Sequence, residues 1–193
     1  MPSAVVPKNA IAGGPGFLYL GALGVSLPAN TVAGSVFTDN WPGGWSLLGI
    51  TMDGSEFDYA LTTADILAAE YYDPMQVVIT ARAASIKMSL MQIHATNMSR
   101  AINGGSLTTS GSGATQLNTY TPGAVGSEVR VAIGWEAQDS TERLVMEQCL
   151  QVGSLAIMRK KGAAVAEIGV EFRAEIPASG FPFRYWTAGT VRG

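Results

Sequence analysis

The sequence predicts a mainly β protein, an antiparallel β-sandwich or barrel with one flanking α-helix. Three observations carry that expectation. Apolar residues recur at every second position in about seven or eight separate segments, the period of strands with one buried face. Helical spacing occurs in one stretch, Leu90–Ile102. With 23 glycines and only 14% charged residues in 193, the composition fits short strands, many turns and a surface covered by neighbours.

The length predicts a single domain over residues 1–193. The first 15 residues read as an arm without its own core. Residues 9–38 carry no charge, but Gly13, Gly14, Pro15, Gly16, Gly21, Gly24 and Pro28 interrupt them too often for a leader or a membrane span, so synthesis in the cytoplasm is expected. Phe17–Leu20 is a short strand, and residues 21–44 a long loop ending in Asn40-Trp-Pro-Gly-Gly-Trp45. Residues 46–75 form an extended hairpin arm. In it Ser46–Thr51 is a short strand, and Ser55–Leu61 alternates Phe57, Tyr59 and Leu61 against Glu56 and Asp58. Ile66–Tyr72 is the expected pairing limb.

Asp73–Gly105 organises the rest. Val77, Ile79, Ala81 and Ala83 alternate, and the apolar phase then passes to Ile86, Met88 and Leu90, which predicts a bulge at Ala84–Ser85. The strand runs into a helix of about three turns stopped by Gly104–Gly105. Residues 104–127 read as a flexible Gly/Ser/Thr loop. Strands follow around Val129–Trp135, Leu144–Val152 and Ile168–Ile176, with a shorter one at Leu155–Met158. Trp135 reads as core. Residues 177–193 are an aromatic tail without period.

Chemistry is sparse. A net charge of −3 gives no basic patch for nucleic acid. The single Cys149 excludes an intrachain disulfide and a cysteine-cluster metal site, and its apolar strand setting predicts a buried, inert thiol. His94 is the only histidine, so neither a nucleophile–histidine pair elsewhere nor a zinc site is expected. Glu56 and Asp58 alternate along one strand face, the pattern of a solvated or interface face more than of acid–base catalysis. No enzyme, catalytic residue, metal or cofactor is expected.

Charge order is more informative. Between Lys8 and Arg82 there is no basic residue, yet Asp39, Asp53, Glu56, Asp58, Asp65, Glu70 and Asp73 occur. Such a block repels itself unless it is solvated or faces a basic surface.

The order of motifs resembles the major tail tube proteins of long, non-contractile-tailed bacteriophages, particularly those of actinobacterial hosts. The residues that carry the likeness are Trp45-Ser-Leu-Leu-Gly-Ile-Thr51, Asp53-Gly-Ser-Glu-Phe57, Tyr72-Asp-Pro74, the Ser85–Leu90 strand leading to Ala101-Ile-Asn-Gly104, and Arg159-Lys-Lys-Gly162 leading to Ile168-Gly-Val-Glu-Phe172. They span about residues 16–176. The immunoglobulin-like C-terminal decoration domain of some members is not among these 193 residues. The resemblance implies hexameric rings, stacked into a tube that holds a tape-measure protein and later conducts DNA without reading its sequence. Tail terminator and distal tail or baseplate proteins would cap its ends.

Under that resemblance, Asp53, Asp58, Asp65, Glu70 and Asp73 are expected to meet Arg82, Lys87, Arg100, Arg159, Lys160 or Lys161 of a neighbouring subunit. A lumen that lets DNA slide should be neutral or acidic, which makes Glu56, Asp58, Glu167 and Glu171 lumen-facing candidates. Two other readings stand beside it: a carbohydrate-binding β-sandwich with a site lined by Trp41, Trp45, Trp135 and Trp186, which the core phase of Trp135 weakens, and a ring protein of a contractile injection system.

Overall fold

The computed structural model describes residues 15–49, 51–67, 72–91, 94–102, 104–153, 155–158 and 167–189. The fold is mainly β, with every strand pair antiparallel and one α-helix among the described residues. In chain order the strands are β1 (Gly16–Ala22), β2 (Val32–Ala33), β3 (Val36–Phe37), β4 (Trp45–Leu47), β5 (Thr51–Ile66) and β6 (Gln76–Leu90). Helix α1 (Ala95–Ala101) comes next, then β7 (Ser106–Ser110), β8 (Leu117–Thr121), β9 (Val131–Ala137), β10 (Glu142–Gln151), β11 (Ala156–Met158), β12 (Glu167–Ala174) and β13 (Arg184–Thr187).

The main sheet runs β4-β1-β9-β10-β12-β6-β5, with β13 beside β10 and β11 beside β12. Strand β10 turns the corner. Glu142–Val145 pair with β13, whereas Cys149–Gln151 pair with β12, and the register against β9 slips between Met146 and Cys149. A bulged strand that changes partners part-way is how one continuous sheet folds into two layers. Between the layers lies the core: Leu18, Ile133, Leu144 and Met146 from one side, Ile86, Leu90, Ile168 and Phe172 from the other. The same slip brings Cys149 inward and leaves Leu150 half-buried, opposite to the simple alternation expected for β10. Burial pushes the Cys149 thiol up to about 12, the inert state expected of it.

Several boundaries differ from the sequence reading. The second limb of the long hairpin is β6, not Ile66–Tyr72, and Met75 N–H closes the tip on the Ile66 carbonyl at 2.9 Å. The bulge in β6 lies at Thr80: Thr62 faces Ala81 but Thr63 faces Ile79. At Ala84–Ser85 the register is regular. Burial changes there because β12 joins β6 only from Ser85 onward, so Gln76–Arg82 are exposed and Ala84–Ile86 buried.

The helix is two turns, not three, because Leu90 is held in β6 opposite Ile168 and Thr51. His94 is its N-cap, accepting at Nδ1 from the Asn97 N–H at 3.4 Å. The glycine stop holds: Gly104 and Gly105 have φ of +85° and +100°, where a side chain is strained.

Residues 104–127 are not a structureless loop. β7 and β8 pair as a separate hairpin whose residues are exposed apart from Tyr120, so no burial period marks it; β-branched threonines on both strands supply its propensity. The tail likewise contains a strand, β13. The arm over residues 1–15 and the basic turn at 159–161 lie outside the described residues, except for Pro15.

Candidate assembly interface

The feature least explained by the body of the protein is the arm formed by β5 and β6. Beyond Asp58 and Ser85 it has no third strand. One face carries Phe57, Tyr59, Leu61, Thr63 and Asp65, paired with Ile86, Ala84, Arg82, Ile79 and Val77. The Thr80 bulge puts Ile79 and Val77 on that face; without it the two-residue period would turn them to the other side. The core-side apolar stripe thus continues past the body into solvent. Leu61, Ile79 and Val77 are about half exposed, and Leu67, Tyr72 and Met75 at the tip are 70%, 106% and 64% exposed. An isolated two-stranded ribbon is marginal in water, and contiguous apolar surface of this extent marks a contact site.

The tail braces the arm at its root. Phe183 packs on Phe57 and Tyr59 with ring centroids 5.2 and 5.3 Å away. Arg184 holds the tail by an ion pair to Glu147 and lies over the Phe181 ring. Between tail and arm remains a cleft of about 630 Å³, lined by Tyr59, Ile79, Arg82, Ile176, Phe181 and Phe183 among others.

On the opposite face of β5, β6 and β12, charges form cross-strand rows. Glu56, Lys87 and Glu171 are level, and so are Asp58, Ser85 and Arg173. Each row contains a cation, so the carboxylates Glu56, Asp58 and Glu171 stand beside Lys87 or Arg173 on this face. Glu167 is buried, so it is no solvent-facing lumen residue.

The interface candidates fall into three groups. Asp65, Asp73 and Arg82 are exposed along the arm and its tip. Asp53 lies in β5, and Asp58 and Lys87 on the charged face. Arg100, half-buried, donates one guanidinium N–H to the Leu47 carbonyl at 2.9 Å. Glu70, Arg159, Lys160 and Lys161 lie outside the described residues.

Asp39 leaves the acidic block as well. Arg143, 1% exposed, binds its carboxylate at 3.0 Å, its carbonyl at 2.6 Å and Glu136 at 3.2 Å, and lies 4.7 Å over the Phe37 ring. Burial pushes the Asp39 carboxyl up, but the Asn30 N–H and the Arg143 guanidinium outweigh it and hold it below its ordinary range. Trp41 completes this node: it stacks on Tyr19 at 4.4 Å, donates its indole N–H to Glu136 and meets Trp45 edge-on. The Trp45 indole donates to the Ser26 carbonyl at 2.8 Å. Two of the indoles proposed for a sugar site thus have their N–H groups engaged within the chain. Trp135 is half-buried against the core.

Sequence reasoning missed Arg143, Phe183 and the Thr80 bulge. Arg143 carries no local signal, since its partner Asp39 is 104 residues away. Among the described residues no cluster of three or more His, Cys, Asp or Glu could hold a metal, and no helix is long and apolar enough to cross a membrane. No protein-family model matches the chain, and no curated protein matches it in sequence.

Proposed function

We propose that this chain is a structural, non-enzymatic tube subunit: the major tail tube protein of a long, non-contractile-tailed bacteriophage, assembling as stacked hexameric rings. The observation that carries the reading is the β5–β6 arm, whose core-side face runs on into solvent with Leu61, Ile79 and Val77 about half exposed and nothing among the described residues covering them. Burial by further copies supplies the cover, and a closed ring satisfies the free edge of β5 at the same time. A resemblance in motif order over residues 16–176 gives the kind of assembly. The tube would sit in the virion tail, hold a tape-measure protein and pass DNA by non-specific contact.

Negative-stain microscopy and sedimentation of the purified chain at rising concentration test this. Rings or hollow rods are expected, and Leu61→Glu with Val77→Glu should abolish them while leaving the melting temperature of the subunit nearly unchanged. A wild-type chain that stays monomeric at all concentrations refutes the proposal.

A further inference from the structure

We infer that the cleft between the arm root and the tail is a socket for the arm tip of a second copy of this chain. The identity of the partner rests on the tube-subunit reading above; the residues of the contact rest on the cleft itself.

Socket and tip match in size and chemistry. The cleft, at about 630 Å³, is in the range of about 300–1,000 Å³ that encloses large side chains, and Ile79, Ile176, Phe181 and Phe183 give it apolar walls. The tip presents Leu67, Tyr72 and Met75, the most exposed apolar side chains among its described residues. A protruding aromatic entering an apolar pocket is the usual anchor of a protein interface.

Charge selects the same pairing. Arg82 stands at the cleft, exposed, with no ion pair or hydrogen bond among the described residues. Asp65 and Asp73 are exposed at or beside the tip. A cation at the socket and carboxylates around the plug favour this register and speed encounter.

The plug comes from another molecule. Met75 lies four residues beyond Ile79, about 13 Å along an extended strand, and the hairpin closure at Met75–Ile66 holds the tip pointing away. Tip-into-root contact made in one direction is heterologous and propagates into a ring or a filament, whereas reciprocal exchange of tips would close as a two-fold dimer. The tube reading requires the first, and a double variant that stops at cross-linked dimers would refute it.

Disulfide trapping tests the contact. Met75 and Ile176 are 64% and 81% exposed, and the natural Cys149 is fully buried and stays silent. Met75→Cys/Ile176→Cys, oxidised under assembling conditions, should give a ladder of covalent oligomers on non-reducing gels. A mixture of the two single variants should stop at dimers. Arg82→Glu should cut the cross-linked fraction about tenfold, and adding Asp65→Lys and Asp73→Lys should restore it. Three results overturn the socket. Rings or rods without a ladder would keep the tube reading and place the contact elsewhere. A fast-migrating monomer would mean the tip folds onto its own root. A chain that neither assembles nor cross-links would sink both readings.

Discussion

Replacing Arg143 by methionine is the sharpest test of how the Trp41 loop is held. Arg143 is 1% exposed, and its partners Asp39 and Glu136 have side chains only 16% and 9% exposed. The substitution strands two carboxylates at once. Removing one member of a buried ion pair costs about 3–5 kcal/mol, chiefly through the charge left behind. The stacking of the guanidinium on Phe37 adds about 0.5–2 kcal/mol. Asp39 retains some water and the N–H groups of Asn30 and Thr31, so the lower part of the range applies. At about 2–4 °C per kcal/mol for a chain of this size, the subunit should melt about 6–15 °C below wild type by circular dichroism at neutral pH. If the stranded charges are the cause, Arg143→Met/Asp39→Asn/Glu136→Gln should recover more than half of that loss. A single variant melting within about 2 °C of wild type refutes the node as a stabilising element. A triple variant as unstable as the single one refutes the charge explanation and leaves packing.

Acid should erase that difference. Asp39 is held below its ordinary value of 3.8, so its stabilisation is complete above that value and lost as pH falls through the depressed one. Urea melts should therefore show the gap between wild type and Arg143→Met narrowing as pH falls below 3.8. Gly134→Ala would place a Cβ 2.3 Å from the Trp41 ring, and expelling the indole should cost about 1–3 kcal/mol and alter tryptophan emission. Phe183→Ala should speed amide exchange at residues 57–61 and 84–86 more than at β9, because the rings it packs on, Phe57 and Tyr59, lie at the arm root. Cys149, with its thiol raised to about 12, should react with a thiol reagent at about pH 8 only on unfolding.

The fold was legible wherever one face of a strand meets a core. Phe57 and Tyr59 against Glu56 and Asp58, and Ile168 and Phe172 against Glu171, declare their period, and the structure keeps both. Legibility failed where burial has another origin. The β7–β8 hairpin is polar on both faces, so its threonines look like loop. In β9, Gly134 and Glu136 read as an outer face, yet Trp41 and Arg143 arrive from far along the chain and cover them. The phase slip in β6 was visible, but its position was not. Ala81, Ala83 and Ala84, just past Thr80, fit either face, and only the pairing with Thr62 and Thr63 fixes the extra residue. The arm was foreseeable as a hairpin; the cleft beside it was not, because Phe181 and Phe183 come from a tail without period.

Sheet order and chain order disagree, and this bears on biosynthesis. β1 finds its second partner, β9, only more than a hundred residues later, and β6 likewise waits for β12 on the side away from β5. On the ribosome the β5–β6 hairpin therefore emerges early, with its greasy side open and no layer to close against. Nascent chains translated side by side would meet first through that ribbon. A cell making this protein has reason either to shield it during translation or to let neighbouring chains begin their association there.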